Sequence, residues 1–224
     1  MDTAVALVES YLHTNGYLTA VEYPIVQEVE GGGYRAITDI DILAIRMPGA
    51  GMIVPPVDAH QTAEAPRLFD PDPRLIDADA DDVTDVIIGE VKEGRAELNR
   101  GARQHATMIA ALRRISYIKP DRANRIAKEL IERGHVRIKD RNIRIRVIAF
   151  GGRRSDREPS HTHVILLREC LDFLVGIGHE YAAVRGSAQV KNPIVNLMTI
   201  LGKAGYLSTT PQRTPWDADR KESS

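Results

Sequence analysis

The sequence lacks several features that would place it in common protein classes. It has one cysteine, Cys170, among 224 residues, which excludes an internal disulfide and a zinc site built from several cysteines. No apolar run approaches the ~18 residues needed to span a bilayer. The first residues, MDTAVALVES, carry acids where a secretory signal would carry bases. We therefore expect a cytoplasmic protein with no membrane partner.

The charge is nearly balanced but unevenly distributed. A net charge of −1 argues against a protein that coats nucleic acid. However, residues 95–157 contain 18 Lys and Arg against 6 Asp and Glu, whereas residues 1–93 contain 5 against 18. Two explanations stay open: neutralisation inside one fold, or a basic surface for an acidic partner.

The apolar patterns predict a mixed α/β domain over residues 1–207, with a central sheet of about four or five strands. Residues 47–83 contain six prolines and are interpreted as an irregular insertion between the second and third strands. Residues 208–224 are expected to be a disordered tail. The predicted helices cover 3–14, 95–116, 121–133, 168–184 and 190–204, and the predicted strands cover 19–29, 36–46, 82–92, 142–150 and 161–167.

An acid and a base end the third predicted strand. Glu90 and Lys92 are two residues apart, so their side chains share one face of the strand. Asp41 lies five residues before Arg46, and Glu90 lies five after Asp85. If the second and third strands pair antiparallel across the insertion, equal counts place Asp41 beside Glu90.

Two adjacent carboxylates repel each other unless a cation lies between them. Carboxylate oxygens are hard ligands that suit Mg²⁺ or Mn²⁺. Glu9 lies on the predicted first helix, on the stripe of Val5, Val8 and Leu12. Asp39 shares a strand face with Asp41 and is interpreted as an outer or solvent-facing acid. Asp41 and Glu90 are therefore candidate ligands of a divalent cation.

The strings ITDIDILAI and IIGEVKEG, together with an acid on the first helix, resemble the PD-(D/E)XK nuclease superfamily, in particular its resolvase-like and restriction-endonuclease-like members. The resemblance covers residues 3–150 and implies a restriction-endonuclease-like core with extra C-terminal helices. It implies that Asp41, Glu90, the Val91 carbonyl and Glu9 hold Mg²⁺ or Mn²⁺, and that Lys92 orients or activates the attacking water. The sequence departs from the superfamily's name in one place, because Ile40 rather than proline precedes Asp41.

The basic segment contains candidate nucleic-acid contacts. Arg100, Arg103 and Gln104 fall on one face of the predicted helix 95–116, where they would meet phosphates or form a solvated face. The position of Gln104 after Glu-x-Lys, on the next predicted helix, resembles that of a glutamine in exonuclease-like members of the superfamily. Arg153 and Arg154 follow Gly151-Gly152 in a predicted flexible loop that would clamp phosphate.

The sequence therefore predicts a metal-dependent nuclease that hydrolyses phosphodiester bonds in nucleic acid, with DNA favoured over RNA but the choice between them left open. A non-catalytic nucleic-acid-binding or scaffold module on the same fold is the alternative. If the chain were instead a structural protein with an ion-paired surface, its four acid and lysine positions would have to match the superfamily by chance. These are Glu9, Asp41, Glu90 and Lys92. No G-x-x-x-x-G-K-[ST] motif is present, so any translocation would need a partner protein. The sequence is compatible with a homodimer but does not indicate one.

Overall fold

The computed structural model describes residues 2–51, 70–76, 82–115, 119–157, 159–180 and 192–207. It divides into two compact units, residues 1–173 and 174–224, and the division falls inside the fourth helix. The predicted disordered tail, residues 208–224, lies outside the described residues. The prediction of one domain over residues 1–207 stays a prediction.

The described part of the chain is a mixed α/β protein with six strands and five α-helices. The elements are α1 (Thr3–Thr14), β1 (Leu18–Glu28), β2 (Tyr34–Arg46), β3 (Thr84–Ala96), α2 (His105–Arg114), α3 (Pro120–Arg133), β4 (His135–Ile138), β5 (Ile143–Arg154), β6 (His163–Leu166), α4 (Leu167–Glu180) and α5 (Pro193–Lys203). A short 3-10 helix, Lys139–Arg141, joins β4 to β5. No helix among the described residues is both long and apolar enough to cross a membrane.

The six strands form one sheet in the order β1-β2-β3-β5-β4, and β6 also pairs with β5. A hairpin joins β1 to β2 through Gly31, Gly32 and Gly33, which all have positive φ angles that only glycine adopts without strain. Strand β2 pairs antiparallel with β3, whereas β3 and β5 are parallel. The parallel pair needs a crossover connection, and α2 and α3 lie within it.

One face of the sheet packs against α2 and α3. Leu43, Val86 and Ile88 from the central strands join Met108 and Leu112 of α2 in a buried cluster. Helix α1 contacts β1, β2 and β3, and its stripe of Val5, Val8 and Leu12 is buried as the sequence predicted. Successive strand side chains point to opposite faces, so both faces of the central strands are buried.

The segment after Lys92 differs from the predicted helix 95–116. Strand β3 continues through Gly94 to Ala96, because Arg95 and Ala96 pair with Arg153 and Arg154 of an equally extended β5. Helix α2 begins only at His105. The loop between them, residues 97–104, contains Arg100, Arg103 and Gln104, so the prediction that these three share a helix face was wrong.

The predicted flexible loop at Gly151-Gly152 is also strand. A Cβ atom at Gly151 would overlap the backbone of Ala96, and one at Gly152 would overlap the carbonyl oxygen of Glu93. Glycine is needed here because β3 and β5 approach each other more closely than side chains allow. The third helix also starts differently from the prediction, because Pro120 is its first residue and Lys119 occupies the N-cap position without a side-chain hydrogen bond. Strand β4 was not predicted.

A buried ionic cluster lies at the opposite end of β3 from Lys92. The carboxylate of Asp85 accepts hydrogen bonds from Tyr17 Oη (2.5 Å), from Arg144 Nε (2.8 Å) and from both Arg146 Nε and Nη2. Burial, and next the charge of Asp85, raise the pKa of Tyr17. Arg144 and Arg146 alternate with apolar residues along β5, and both serve the fold because their guanidinium groups share one buried acid.

Part of the predicted irregular insertion is packed on this cluster. The carbonyl oxygen of Leu75 accepts from Arg146 Nη2 at 2.8 Å. Asp72 is fully buried, accepts from Tyr11 Oη at 2.8 Å and pairs with Arg74 Nε at 2.9 Å. The insertion leaves the sheet at the Arg46–Asp85 pair, which is the end away from Asp41 and Glu90, as the register predicted. Residues 52–69 and 77–81 lie outside the described part.

Candidate active site

Asp41 and Glu90 occupy neighbouring positions on β2 and β3. Arg46 pairs with Asp85 and Ile42 pairs with Gly89, which confirms the register predicted by counting outward from the insertion. One step further along this register, Asp41 stands opposite Glu90. The antiparallel pairing of β2 with β3 therefore brings together two carboxylates whose residues are 49 positions apart in sequence.

Glu90 is buried, with 2% of its side chain exposed. Its Oε1 atom accepts hydrogen bonds from Lys92 Nζ and from Asn99 Nδ2, each at 2.6 Å. Burial, and also the nearby charge of Asp41, raise the pKa of Glu90, while the hydrogen bonds from Lys92 and Asn99 act against this shift. Burying a carboxylate is costly unless it is paired and hydrogen-bonded, and these two donors supply that compensation.

Lys92 connects the two acids. Its Nζ atom lies 2.6 Å from Glu90 Oε1 and 4.0 Å from Asp41 Oδ2, and its side chain is 42% exposed. Burial alone would lower the pKa of Lys92, but the hydrogen bond and charge of Glu90 and the charge of Asp41 outweigh this effect and raise it. The ammonium group is therefore held in its charged form while one side of it faces solvent.

Asp41 is tied to the backbone of β3. Its Oδ2 atom accepts a hydrogen bond from the Val91 N–H at 2.7 Å. This contact fixes the carboxylate of Asp41 against the strand that bears Glu90 and Lys92. It involves the amide of Val91 rather than its carbonyl oxygen, so the predicted role of the Val91 carbonyl as a metal ligand stays a prediction.

Glu9 makes its contacts elsewhere. Its Oε1 atom accepts from Thr19 Oγ1 at 3.0 Å and lies 3.9 Å from His13 Nε2. Thr19 Oγ1 is also 2.7 Å from His13 Nε2. In the part of the chain that the structure describes, no group of three or more His, Cys, Asp and Glu side chains is placed to hold a metal ion. Glu9 is thus on the buried side of α1 as expected, but it is paired with the start of β1.

The pair of Asp41 and Glu90 still fits a divalent cation of the Mg²⁺ type. Mg²⁺ is commonly held by one or two carboxylates and keeps several waters or substrate phosphate oxygens. The contacts described above use Oδ2 of Asp41 and Oε1 of Glu90, and each carboxylate has a second oxygen that these contacts do not use. The donor set is therefore sufficient in kind for Mg²⁺ or Mn²⁺ without Glu9.

Two cavities meet at Lys92. One, of about 440 Å³, is acidic and includes Asp2, Glu22, Asp39 and Asp41 in its wall. The other, of about 670 Å³, is called the basic groove below. Its wall consists of Lys92, Glu93, Gly94, Arg95, Glu97, Leu98, Asn99, Arg153 and Arg157. Among the described residues of this wall, four cations against two acids give a positive balance beside the paired carboxylates.

The predicted nucleic-acid residues divide between the basic groove and its surroundings. Arg153 lines the groove, and Arg154 pairs with Ala96 on the adjoining strand end. Arg100, Arg103 and Gln104 are exposed on the loop 97–104. Sequence reasoning missed Arg95, Arg157 and Asn99, although the surplus of basic residues over 95–157 indicated the region.

Comparison with known proteins finds no matching family model, no matching curated protein and no matching solved structure. The function proposed for this chain therefore depends on its own residues and their geometry.

Proposed function

We propose that this chain is a metal-dependent nuclease with a restriction-endonuclease-like core, and that it hydrolyses phosphodiester bonds in DNA. The observation that carries the proposal is the meeting of Asp41, Glu90 and Lys92 beside a basic groove. Glu-x-Lys alone is a common surface pattern. Its pairing with Asp41 and the burial of Glu90 support a site built for chemistry.

The roles follow from the side chains. A divalent cation, when bound, would polarise the scissile phosphate and lower the pKa of a coordinated water. Asp41 and Glu90 would hold it. Lys92 is charged and partly exposed, so its ammonium group is suited to orient the water and to donate hydrogen bonds to the charge that develops on the phosphate. The arginines of the groove would position the nucleic-acid backbone.

A direct assay tests the proposed activity. The purified protein is incubated with single-stranded, duplex and branched DNA and with RNA, in Mg²⁺, in Mn²⁺ and in EDTA. We expect cleavage of at least one DNA form that EDTA abolishes. Cleavage of RNA alone would contradict the choice of DNA. Absence of cleavage in every arm, by protein that binds neither Mn²⁺ nor nucleic acid, would contradict the whole proposal.

A non-catalytic nucleic-acid-binding module on the same fold is the second candidate. It is favoured by the contacts of Glu9, because only two of the predicted acidic ligands meet. The basic groove would serve such a module equally well. DNA binding without cleavage in Mg²⁺ or Mn²⁺ would support this candidate.

The basic groove predicts a salt-dependent interaction. Replacing Arg153 and Arg157 together by alanine is expected to weaken DNA binding and to make its dependence on salt shallower. Each lost phosphate contact removes about 0.7–0.9 from the slope of log K against log [salt], because fewer counterions are released. Fluorescence anisotropy at several salt concentrations, in EDTA to prevent cleavage, measures the slope.

Two further double variants serve as comparisons for this measurement. Arg125 and Arg137 are exposed on α3 and β4, and their double alanine variant removes the same charge away from the groove. We expect its slope to equal that of the wild type. Replacing Arg100 and Arg103 tests the loop 97–104, and a shallower slope there would extend the contact surface beyond the groove. Equal slopes for the Arg153/Arg157 and Arg125/Arg137 variants would show that the groove is not the binding surface.

A further inference from the structure

Asn99 makes two hydrogen bonds that join Glu90 to the loop 97–104. Its Nδ2 atom donates to Glu90 Oε1 at 2.6 Å, and its Oδ1 atom accepts from the Ala102 N–H at 2.5 Å. The carbonyl oxygen of Asn99 also accepts from the Arg103 N–H at 3.3 Å. One side chain thus caps a turn of the loop and reaches the buried acid of the site.

The position of this loop is constrained against the sheet. A Cβ atom at Gly101 would lie 2.8 Å from Thr38 Oγ1 and 3.1 Å from Asn99 Oδ1. The loop therefore packs closely on the side chain of Thr38 in β2, with little room for a side chain at Gly101. Asn99 is held from two sides, by its own turn and by the contact of that turn with β2.

Glu90 needs such a partner because its carboxylate is at the end of a side chain with several rotatable bonds. Its other donor is Lys92, whose ammonium group is itself partly exposed and would turn toward a phosphate. Asn99 is neutral and fixed, so it would keep the carboxylate in place while Lys92 interacts with substrate. Groups that orient a metal-binding side chain in this way commonly change metal affinity or activity 10–100-fold when they are removed.

We propose that Asn99 is a positioning residue for Glu90. This inference depends on the proposed function, because it assigns Asn99 a role at the same site. Asn99 acts through Glu90 and is not itself assigned a contact with the reacting atoms. Its effect is expected on metal affinity and on kcat, with little change in KM for DNA.

The two contacts of Asn99 can be separated by substitution. Asn99→Ser retains an oxygen that can cap the turn at Ala102, since serine is a good cap residue, but it is too short to reach Glu90. Asn99→Ala loses both contacts. Asn124→Ser, at an exposed position of α3, is the matched control. Calorimetric titration with Mn²⁺, steady-state cleavage and the thermal unfolding midpoint are measured for all three variants.

We expect the Mn²⁺ affinity and the kcat of Asn99→Ser to be about 10–100-fold lower than those of the wild type. Its midpoint should fall because Glu90 loses one donor, but less than that of Asn99→Ala, which also loses the cap of the turn. Asn99→Ala should show the same functional losses and a lower midpoint. Wild-type Mn²⁺ affinity and kcat in Asn99→Ser would overturn the inference, as would a fall in its midpoint equal to that of Asn99→Ala. Failure of the wild type itself to bind Mn²⁺ and to cleave would instead overturn the proposed function.

Discussion

Replacing Lys92 by alanine is expected to abolish cleavage and to leave metal binding intact. The ammonium group lies 2.6 Å from Glu90 and 4.0 Å from Asp41, so its removal takes a competing positive charge away from the two proposed metal ligands. Affinity for Mn²⁺ should therefore be unchanged or higher. Loss of one charge-stabilising donor typically lowers the rate by about 10²–10³, which places residual turnover at the edge of detection.

The companion variant is expected to lose metal binding as well as cleavage. Asp41→Ala removes a proposed ligand and should abolish both Mn²⁺ binding and cleavage. DNA binding in EDTA should survive in both variants, because Arg95, Arg153 and Arg157 of the basic groove stay in place. Calorimetry with Mn²⁺, a cleavage assay and anisotropy separate the three properties.

Exposed residues of the same types provide the controls. Lys128 is 75% exposed in a pair with Glu132 on α3, and Asp172 is 58% exposed in a pair with Arg168 on α4. Lys128→Ala and Asp172→Ala should cleave at the wild-type rate, since exposed pairs contribute little. Wild-type cleavage by Lys92→Ala under saturating metal would show that Glu90 and Lys92 are an ordinary ion pair.

The part of the site that the sequence predicts is the part fixed by strand periodicity. The two-residue period of a strand places Glu90 and Lys92 on one face. Antiparallel pairing places Asp41 beside Glu90 when residues are counted from Arg46 and Asp85, on either side of the insertion. The insertion did not disturb this register, because it leaves and re-enters the sheet at the Arg46–Asp85 pair. A sequence pattern thus predicts the positions of side chains where they lie on regular, paired strands.

The predictions fail where non-local pairing decides the structure. The predicted third strand ends at Lys92, but β5 offers hydrogen bonds that continue β3 to Ala96. Asn99 has no periodic signal, because its contact with Glu90 depends on the path of the loop 97–104. The apolar stripe predicts that Glu9 lies on the buried side of α1, but it does not determine where the helix lies along the sheet.

Asp85 is expected to be essential for stability although it lies at the far end of β3 from the proposed site. Its carboxylate is the shared acceptor for Tyr17, Arg144 and Arg146, and it is 1% exposed. Removing one partner of a buried ionic cluster typically costs about 3–5 kcal/mol, because the remaining charge stays buried without compensation. In a chain of this size, that loss lowers the unfolding midpoint by roughly 10 °C.

The expected loss from Asp85→Ala arises mainly from the arginines that stay behind. Asp85→Ala/Arg146→Met also removes the most buried of these guanidinium groups and fills its space with an apolar side chain. It should therefore be less destabilised than Asp85→Ala alone, since replacing a buried pair by apolar residues is often close to neutral. Asp140→Ala breaks an exposed pair with Arg122 and should unfold like the wild type. Calorimetric unfolding of the three variants measures these differences, and a double variant less stable than Asp85→Ala would show that Arg146 stabilises the fold through Leu75 rather than through the acid.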